Sequence, residues 1–431
     1  MSGVDPGGGP PGEGSGKVTQ ERTGGDYAPS VASKIAVWHK AGGLAVPLLT
    51  TILAFFIGGL VVLITTGKNP LTTYKAIFEG SGLNWFLEVG SYELRVPFTD
   101  SHVPFPWNTN DFESLAAVNL QQTLIIWIPL VLSGLAVAFA FRCGMFNIGG
   151  QGQYLAGAIT AVWIGSSLPG LPGLVHILFA VIAGALMGAL WAGIAGLLKA
   201  TVGAHEVITT IMLNWIAVWV GVFLFSLGGP LQNDTQPSVP VSNDVLEESK
   251  LGLLWGDPLL QGLHVGFFVA LAALVVYWIT LNRTTLGYEV RAVGFNPEAA
   301  RYGGISVARN YFLAMAISGT FAGLAGALDI LGWQFRINTN DVTITSLVAF
   351  TGIAVALLGR NTAIGVGLAG LLFAALTVGT STRNLDPEIF RPELASNLTV
   401  MIQGLVVLFV GADVLVLYLL YKLRLRRRAP A

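Results

Sequence analysis

The sequence predicts an all-α integral membrane protein of about ten transmembrane helices with both termini in the cytosol, on three observations. Hydrophobic residues make up 53% of the chain and charged residues 11%, where a soluble domain carries about 25% charge. With mean hydropathy at +0.67, 431 residues hold more apolar surface than one core can hide, so a bilayer must serve as solvent. Ten stretches approach the length of about 20 mostly apolar residues that a spanning helix needs: 44–66, 119–141, 145–167, 172–198, 206–228, 259–281, 309–332, 343–360, 363–380 and 397–421. Placing the N-terminus inside puts 16 of the 23 Lys and Arg residues on the cytosolic side, the bias that orients membrane proteins.

The first element, 1–43, is Gly- and Pro-rich and too polar to bury a core, which predicts a disordered cytosolic tail. Its Gly16-Lys17 pair imitates the end of a phosphate-binding loop. However, Val18 stands where Ser or Thr is required, and Pro11 where the leading Gly belongs. The polytopic body spans 44–421, and the basic tail 422–431 returns to the cytosol after an even number of crossings. Two long outer loops, 67–118 and 229–258, are acidic and aromatic, with Trp85, Trp107 and Trp255. The first, too polar to enter lipid, reads as a structured cap or as a docking surface for an external partner. The only cysteine, Cys143, excludes an internal disulfide and a cysteine-based metal cluster.

At 141–153 four glycines and three side-chain amides, Asn147, Gln151 and Gln153, fall at the start of the third span. They predict an interrupted helix, which is tolerated at membrane depth only against protein or a watery cavity and often borders a transport site. Tight packing by the glycines is the competing reading. In the fifth span Glu206, Thr210 and Asn214 recur at intervals of four residues and share one helix face, which should turn to the bundle interior. These six residues are the candidate pathway. Small-residue pairs such as Gly184/Gly188 and Gly319/Gly323 should bring helices close. Asp329 and Asp413 are exceptions in an intramembrane set made mainly of amides and hydroxyls.

The loop 282–308 holds a short helix with both ends encoded. Asn296 can cap it, Pro297 suits its first position, Glu298 meets the positive end, and Gly303 permits a left-handed stop. Between these lie Ala299, Ala300, Arg301 and Tyr302. A helix under two turns is unstable alone in water, so it either docks on a partner, with Ala300 on the docking face, or serves as a surface connector.

The chain shows no HExxH metal motif, no GxSxG nucleophile turn and no convincing midspan carboxylate or His relay. No catalytic residue or metal ligand follows from it, and any motor must be another polypeptide. An ion- or proton-coupled carrier and a non-transporting receptor or scaffold stay open at this point.

GLAVAFAFRCGMFNIGGQGQYLAGA, LKATVGAHEVITTIMLNWIA and GYEVRAVGFNPEAARYGGISV, in that order, resemble permease subunits of bacterial ABC importers. The resemblance lies in the branch for branched-chain amino acids, simple sugars and nucleosides, closest to the nucleoside and sugar members. It covers roughly residues 44–421. It implies a plasma-membrane permease without a cofactor of its own, two cytosolic ATPase subunits that bind the ATP, and a second permease subunit, identical or not. It also implies an extracellular substrate-binding lipoprotein, surrounding lipid and no nucleic acid. Residues 296–303 then match the coupling helix.

Overall fold

The computed structural model describes residues 45–67, 69–87, 93–95, 102–104, 115–256, 262–339, 341–381, 397, 400–405 and 408. Both tails, most of the expected tenth span and much of the loop 67–118 lie outside the described residues. Helices occupy the first nine expected segments. They are α1 (Ala45–Thr66), α3 (Leu115–Arg142), α4 (Gly150–Ser167), α5 (Gly173–Val202), α6 (Glu206–Phe225), α7 (Gly266–Arg283), α10 (Val307–Asp329), α11 (Asp341–Leu358) and α12 (Ala363–Gly379). Among the described residues five helical stretches are long and apolar enough to cross a membrane by themselves: α3, α5, α6, α7 and Val307–Gln334.

Shorter helices complete the order. Helix α2 (Pro70–Gly80) follows α1, while α8 (Thr285–Phe295) and α9 (Pro297–Tyr302) fill the loop between α7 and α10. The helix α8 was not foreseen, although its signal is present: Thr284 caps it by accepting from the Gly287 N–H at 3.1 Å. The sixth span also begins later than expected. Leu253–Trp255 (β1) pairs antiparallel with Leu263–His264 (β2), and the helix starts only at Gly266.

Helix α3 is the central element, buried on nearly every side from Leu120 to Ala140. By contrast α5, α6 and α7 bury small residues along one stripe and expose Leu178, Phe179, Trp219, Phe223 and Val275 on the other. An apolar outer face of that kind is stable against lipid or another membrane subunit. The tightest packing joins α4, α5 and α10. A methyl built on Gly188 would lie 2.4 Å from the Gly319 carbonyl oxygen, and one on Gly157 would lie 2.3 Å from that of Gly323. Where lipid tails are as apolar as leucine, association rests on such close backbone approach rather than on hydrophobicity.

The segment 229–256 is stitched to the end of the bundle beneath it. Leu246 N–H donates to the Gly165 carbonyl at 2.9 Å, Ser249 Oγ to the same oxygen at 2.7 Å, and Leu251 N–H to Leu331 at 2.8 Å. The segment thus forms a cap on this end of the bundle. Trp255 of the cap also packs at a tilt against Trp85 from the first long loop, with ring centroids 5.2 Å apart.

Candidate functional site

Helices α8 and α9 meet at Asn296, which serves both. Its N–H donates to the Ala292 carbonyl at 3.1 Å and closes α8, while its side-chain oxygen accepts from Glu298 N–H at 3.0 Å and Ala299 N–H at 3.1 Å. Pro297 takes the first position, where its missing N–H costs nothing. Glu298 and Arg301 pair at 3.4 Å on an exposed surface, a contact worth little in water. Phe295 and Tyr302 are 91% and 93% exposed, so two aromatic rings stand free beside the capped turn.

Two expectations here are corrected. Gly303 stays right-handed, with φ −75° and ψ 5°; the left-handed stop falls on Gly304, with φ 82°. The helix tightens through one more turn, in which Gly303 N–H donates to Ala299 at 3.0 Å and Gly304 N–H to Arg301 at 3.0 Å. With two glycines in series, only the second leaves the right-handed region. Ala300 does not face outward either. It is 5% exposed and turned to its own chain, where its carbonyl accepts from Ile305 N–H at 3.0 Å.

The predicted break is real. Helix α3 ends at Arg142, Gly144 takes φ 75°, and α4 begins at Gly150. Asn147 holds the irregular backbone with all its polar atoms engaged. Its oxygen accepts from Gly149 N–H at 2.8 Å and Gln153 Nε2 at 3.0 Å. Its nitrogen donates to Gln153 Oε1 at 2.9 Å and Ser318 Oγ at 2.7 Å. Gln151 is buried on the same first turn of α4.

The polar face of α6 turns to this break. Asn214 accepts from Gly152 N–H at 2.8 Å and donates to the Ile148 carbonyl at 2.9 Å. Thr210 is fully buried, and a methyl on Gly149 would lie 3.0 Å from its Cβ. The Thr210 hydroxyl donates to the Glu206 carbonyl at 2.7 Å, within its own helix. Glu206 stands apart at the end of the stripe, in an ion pair with Lys199 at 2.8 Å. The structure thus brings Asn147, Gln153, Thr210 and Asn214 together around one break and leaves Glu206 at its margin.

Sequence reasoning singled out Asp329 without its partners. Buried at the far end of α10, it accepts hydrogen bonds from Tyr154 Oη, Trp333 Nε1 and Gln334 Nε2. The last two donors lie on a wide helical turn, Ile330–Gln334, which ends at Phe335 with φ 59°. An Asp followed by Trp and Gln four and five residues later, at the end of an apolar helix, was the available signal. Next to this turn His264 is buried, ahead of α7, and its Nδ1 accepts from Gly266 N–H at 3.2 Å. Burial pushes its pKa down to about 4.

Comparison with known proteins places this arrangement. The model of the family described as branched-chain amino acid transport system / permease component matches residues 119–411. The guanosine ABC transporter permease protein NupP of Bacillus subtilis is 39% identical over 304 residues, 69% of this chain and 82% of the relative. The nucleoside ABC transporter permease protein NupB of Lactococcus lactis is 33% identical over 362 residues, 82% of this chain and 89% of the relative. The glucose ABC transporter permease protein TsgB13 of Haloferax volcanii is 32% identical over 369 residues, 84% of this chain and 86% of the relative. The matched region contains the break, the polar stripe and the capped turn, and this multi-pass membrane protein therefore belongs to the permease-component family of branched-chain amino acid transport systems.

Proposed function

We propose that this chain is a permease subunit of an ABC importer and forms part of the pathway for a nucleoside. The observation that carries the reading is the 39% identity to a guanosine permease over 82% of that relative, supported by the second nucleoside permease. A simple sugar is the second reading, favoured by the glucose permease at 32% identity. The protein crosses the membrane ten times with both termini in the cytosol, the side on which its basic residues gather.

On this reading residues 296–303 are the coupling helix. The capped turn gives a rigid knob, and the exposed rings of Phe295 and Tyr302 supply apolar area that a groove on a cytosolic ATPase would bury. Nucleotide binds to that ATPase and not to this chain, whose own residues provide the passage. A second permease subunit, set against the apolar faces of α5, α6 or α7, completes it, and an external binding protein delivers cargo to the capped end. The pathway runs beside the break, where Asn147, Gln151, Gln153, Thr210 and Asn214 hold the backbone that lines it and Glu206 marks its cytosolic margin.

Uptake of labelled guanosine and glucose by cells with and without the gene tests the proposal. Vanadate-sensitive guanosine uptake that disappears on deletion is the expected result. Loss of glucose uptake alone would select the sugar reading, and unaffected uptake of both would reject transport of either class.

A further inference from the structure

Within six residues, 142–147, the chain touches α8, α10 and the turn after α11, and the contact with α8 is made by backbone. A methyl on Gly294, one residue before the exposed Phe295, would lie 2.3 Å from the Arg142 carbonyl oxygen. A methyl on Gly144 would lie 3.3 Å from the Gly294 Cα. Helix α8 therefore rests directly on the end of α3 with no side chain between them.

The Arg142 side chain reaches the opposite way. Its Nε and Nη2 donate to the Asn361 carbonyl at 3.1 and 2.8 Å, and Nη2 also lies 3.4 Å from the Arg360 carbonyl. Tyr277 Oη of α7 donates to the same Asn361 oxygen at 2.8 Å. Arg360 and Asn361 both hold left-handed backbone, with φ 51° and 53°. Two such residues in sequence are strained, and strain of this kind persists only where neighbours over-determine it. Arg142 and Tyr277 are those neighbours, and the turn they hold links α11 to α12.

A third set of contacts leads into the bundle. Asn310 of α10 donates to Glu289 of α8 at 2.9 Å, and the Cys143 thiol sits 3.7 Å from the Asn310 carbonyl. Four residues after Cys143, Asn147 grips Ser318 of α10 at 2.7 Å, and Ser318 Oγ donates to Ala136 of α3 at 2.5 Å.

We propose that the segment 142–147 is the joint through which movement of the coupling helix reaches the membrane bundle, with Arg142 and Gly294 as its positioning residues. The proposal rests on the reading of 296–303 as a coupling helix. A push on α9 enters through α8 at Gly294, because that contact is backbone on backbone and has no rotamer to absorb it. It leaves along two routes, through Arg142 to the strained turn between α11 and α12 and through Asn147 to α10 and the start of α4. A packed contact with two discrete arrangements is what carries such a coupling.

The test uses the complete transporter, chain with its partners, reconstituted in vesicles. Arg142→Gln and Gly294→Ala should retain the ATPase subunits in pull-down and continue to hydrolyse ATP. Solute imported per ATP hydrolysed should fall about tenfold, within the range of measured coupling energies. Arg142→Lys keeps the charge but loses the planar grip on two carbonyls, and should show an intermediate ratio. The ratio does not fall merely because less protein assembles, so a purely structural role leaves it unchanged. Normal ratios in Arg142→Gln and Arg142→Lys, or loss of ATPase binding in either, would overturn the joint. Tyr302→Asp is measured in parallel: if it keeps both ATPase binding and coupled uptake, the coupling-helix reading itself fails, whatever Arg142 does.

Discussion

Asn296 shows how much one side chain can organise. It ends α8 with its N–H and starts α9 with its carboxamide; Asn296→Ala keeps the first bond and removes the two that the carboxamide oxygen accepts. The expected loss is about 1 kcal/mol of local helix stability, read as faster hydrogen exchange at 297–303. Gly304→Val should cost more than Gly303→Val, because only Gly304 has positive φ and a β-branched residue is a genuine outlier there. Equal effects of the two valines would contradict the observed stop. His264 gives the pH dependence. Its folded pKa, about 4, lies below the ordinary value of 6.5, so the folded state binds the proton less readily than the unfolded one. Its contribution is present above 6.5 and is lost as pH falls toward 4. The purified protein should melt at lower temperature at pH 4.5 than at pH 7, and His264→Gln should flatten that difference. An unchanged pH slope in the variant would assign the effect to another group.

At the scale of elements, the sequence announced the break in the third span and the close-packed glycines because each depends on residue type alone. Four glycines and three amides within thirteen residues disfavour a continuous lipid-facing helix, and the break falls on 143–149, before Gly150, Gln151, Gly152 and Gln153 enter α4. Gly184, Gly188, Gly319 and Gly323 did meet across α5 and α10, as their spacing suggested. What spacing could not show is who satisfies whom. Asn147 finds Ser318, 171 residues away, and Arg142 finds Asn361, 219 residues away; pairings at that distance are decided by packing, which local pattern does not encode. The shift of the left-handed stop from Gly303 to Gly304 is the converse case, where local grammar pointed to the first of two glycines and the backbone turned at the second. The α5–α10 contact gives a direct test. Gly323→Leu should reduce the amount of folded protein in the membrane sharply, since even a methyl there would lie 2.5 Å from the Gly184 carbonyl oxygen. Gly367→Leu on α12, where a methyl would meet only a Leu274 side chain at 3.4 Å, should be tolerated. Comparable loss in both would mean that backbone approach is not what sets the tolerance.

For the whole molecule the governing question is which end faces the cytosol, since every functional assignment above depends on it. The end that carries Arg142, Lys199, Arg283, Arg301 and Arg360 is basic, and short basic loops stay inside. The opposite end carries the cap 229–256, closed by backbone hydrogen bonds to α4 and to the turn after α10. On the proposed reading the folded cap receives a protein from outside, and the exposed pair of aromatic rings on the capped turn meets an ATPase within. The two surfaces can be told apart chemically because the chain has one cysteine, Cys143, and it is 1% exposed, so native labelling is expected to be low. Ser238 in the cap is exposed, and Phe295 is 91% exposed; either can be replaced by cysteine without opening the core. In intact cells an impermeant maleimide should label Ser238→Cys and leave Phe295→Cys untouched. After permeabilisation both should react. Labelling of Phe295→Cys from outside would invert the molecule, put the basic residues on the wrong side of the membrane, and remove the capped turn from reach of any cytosolic motor.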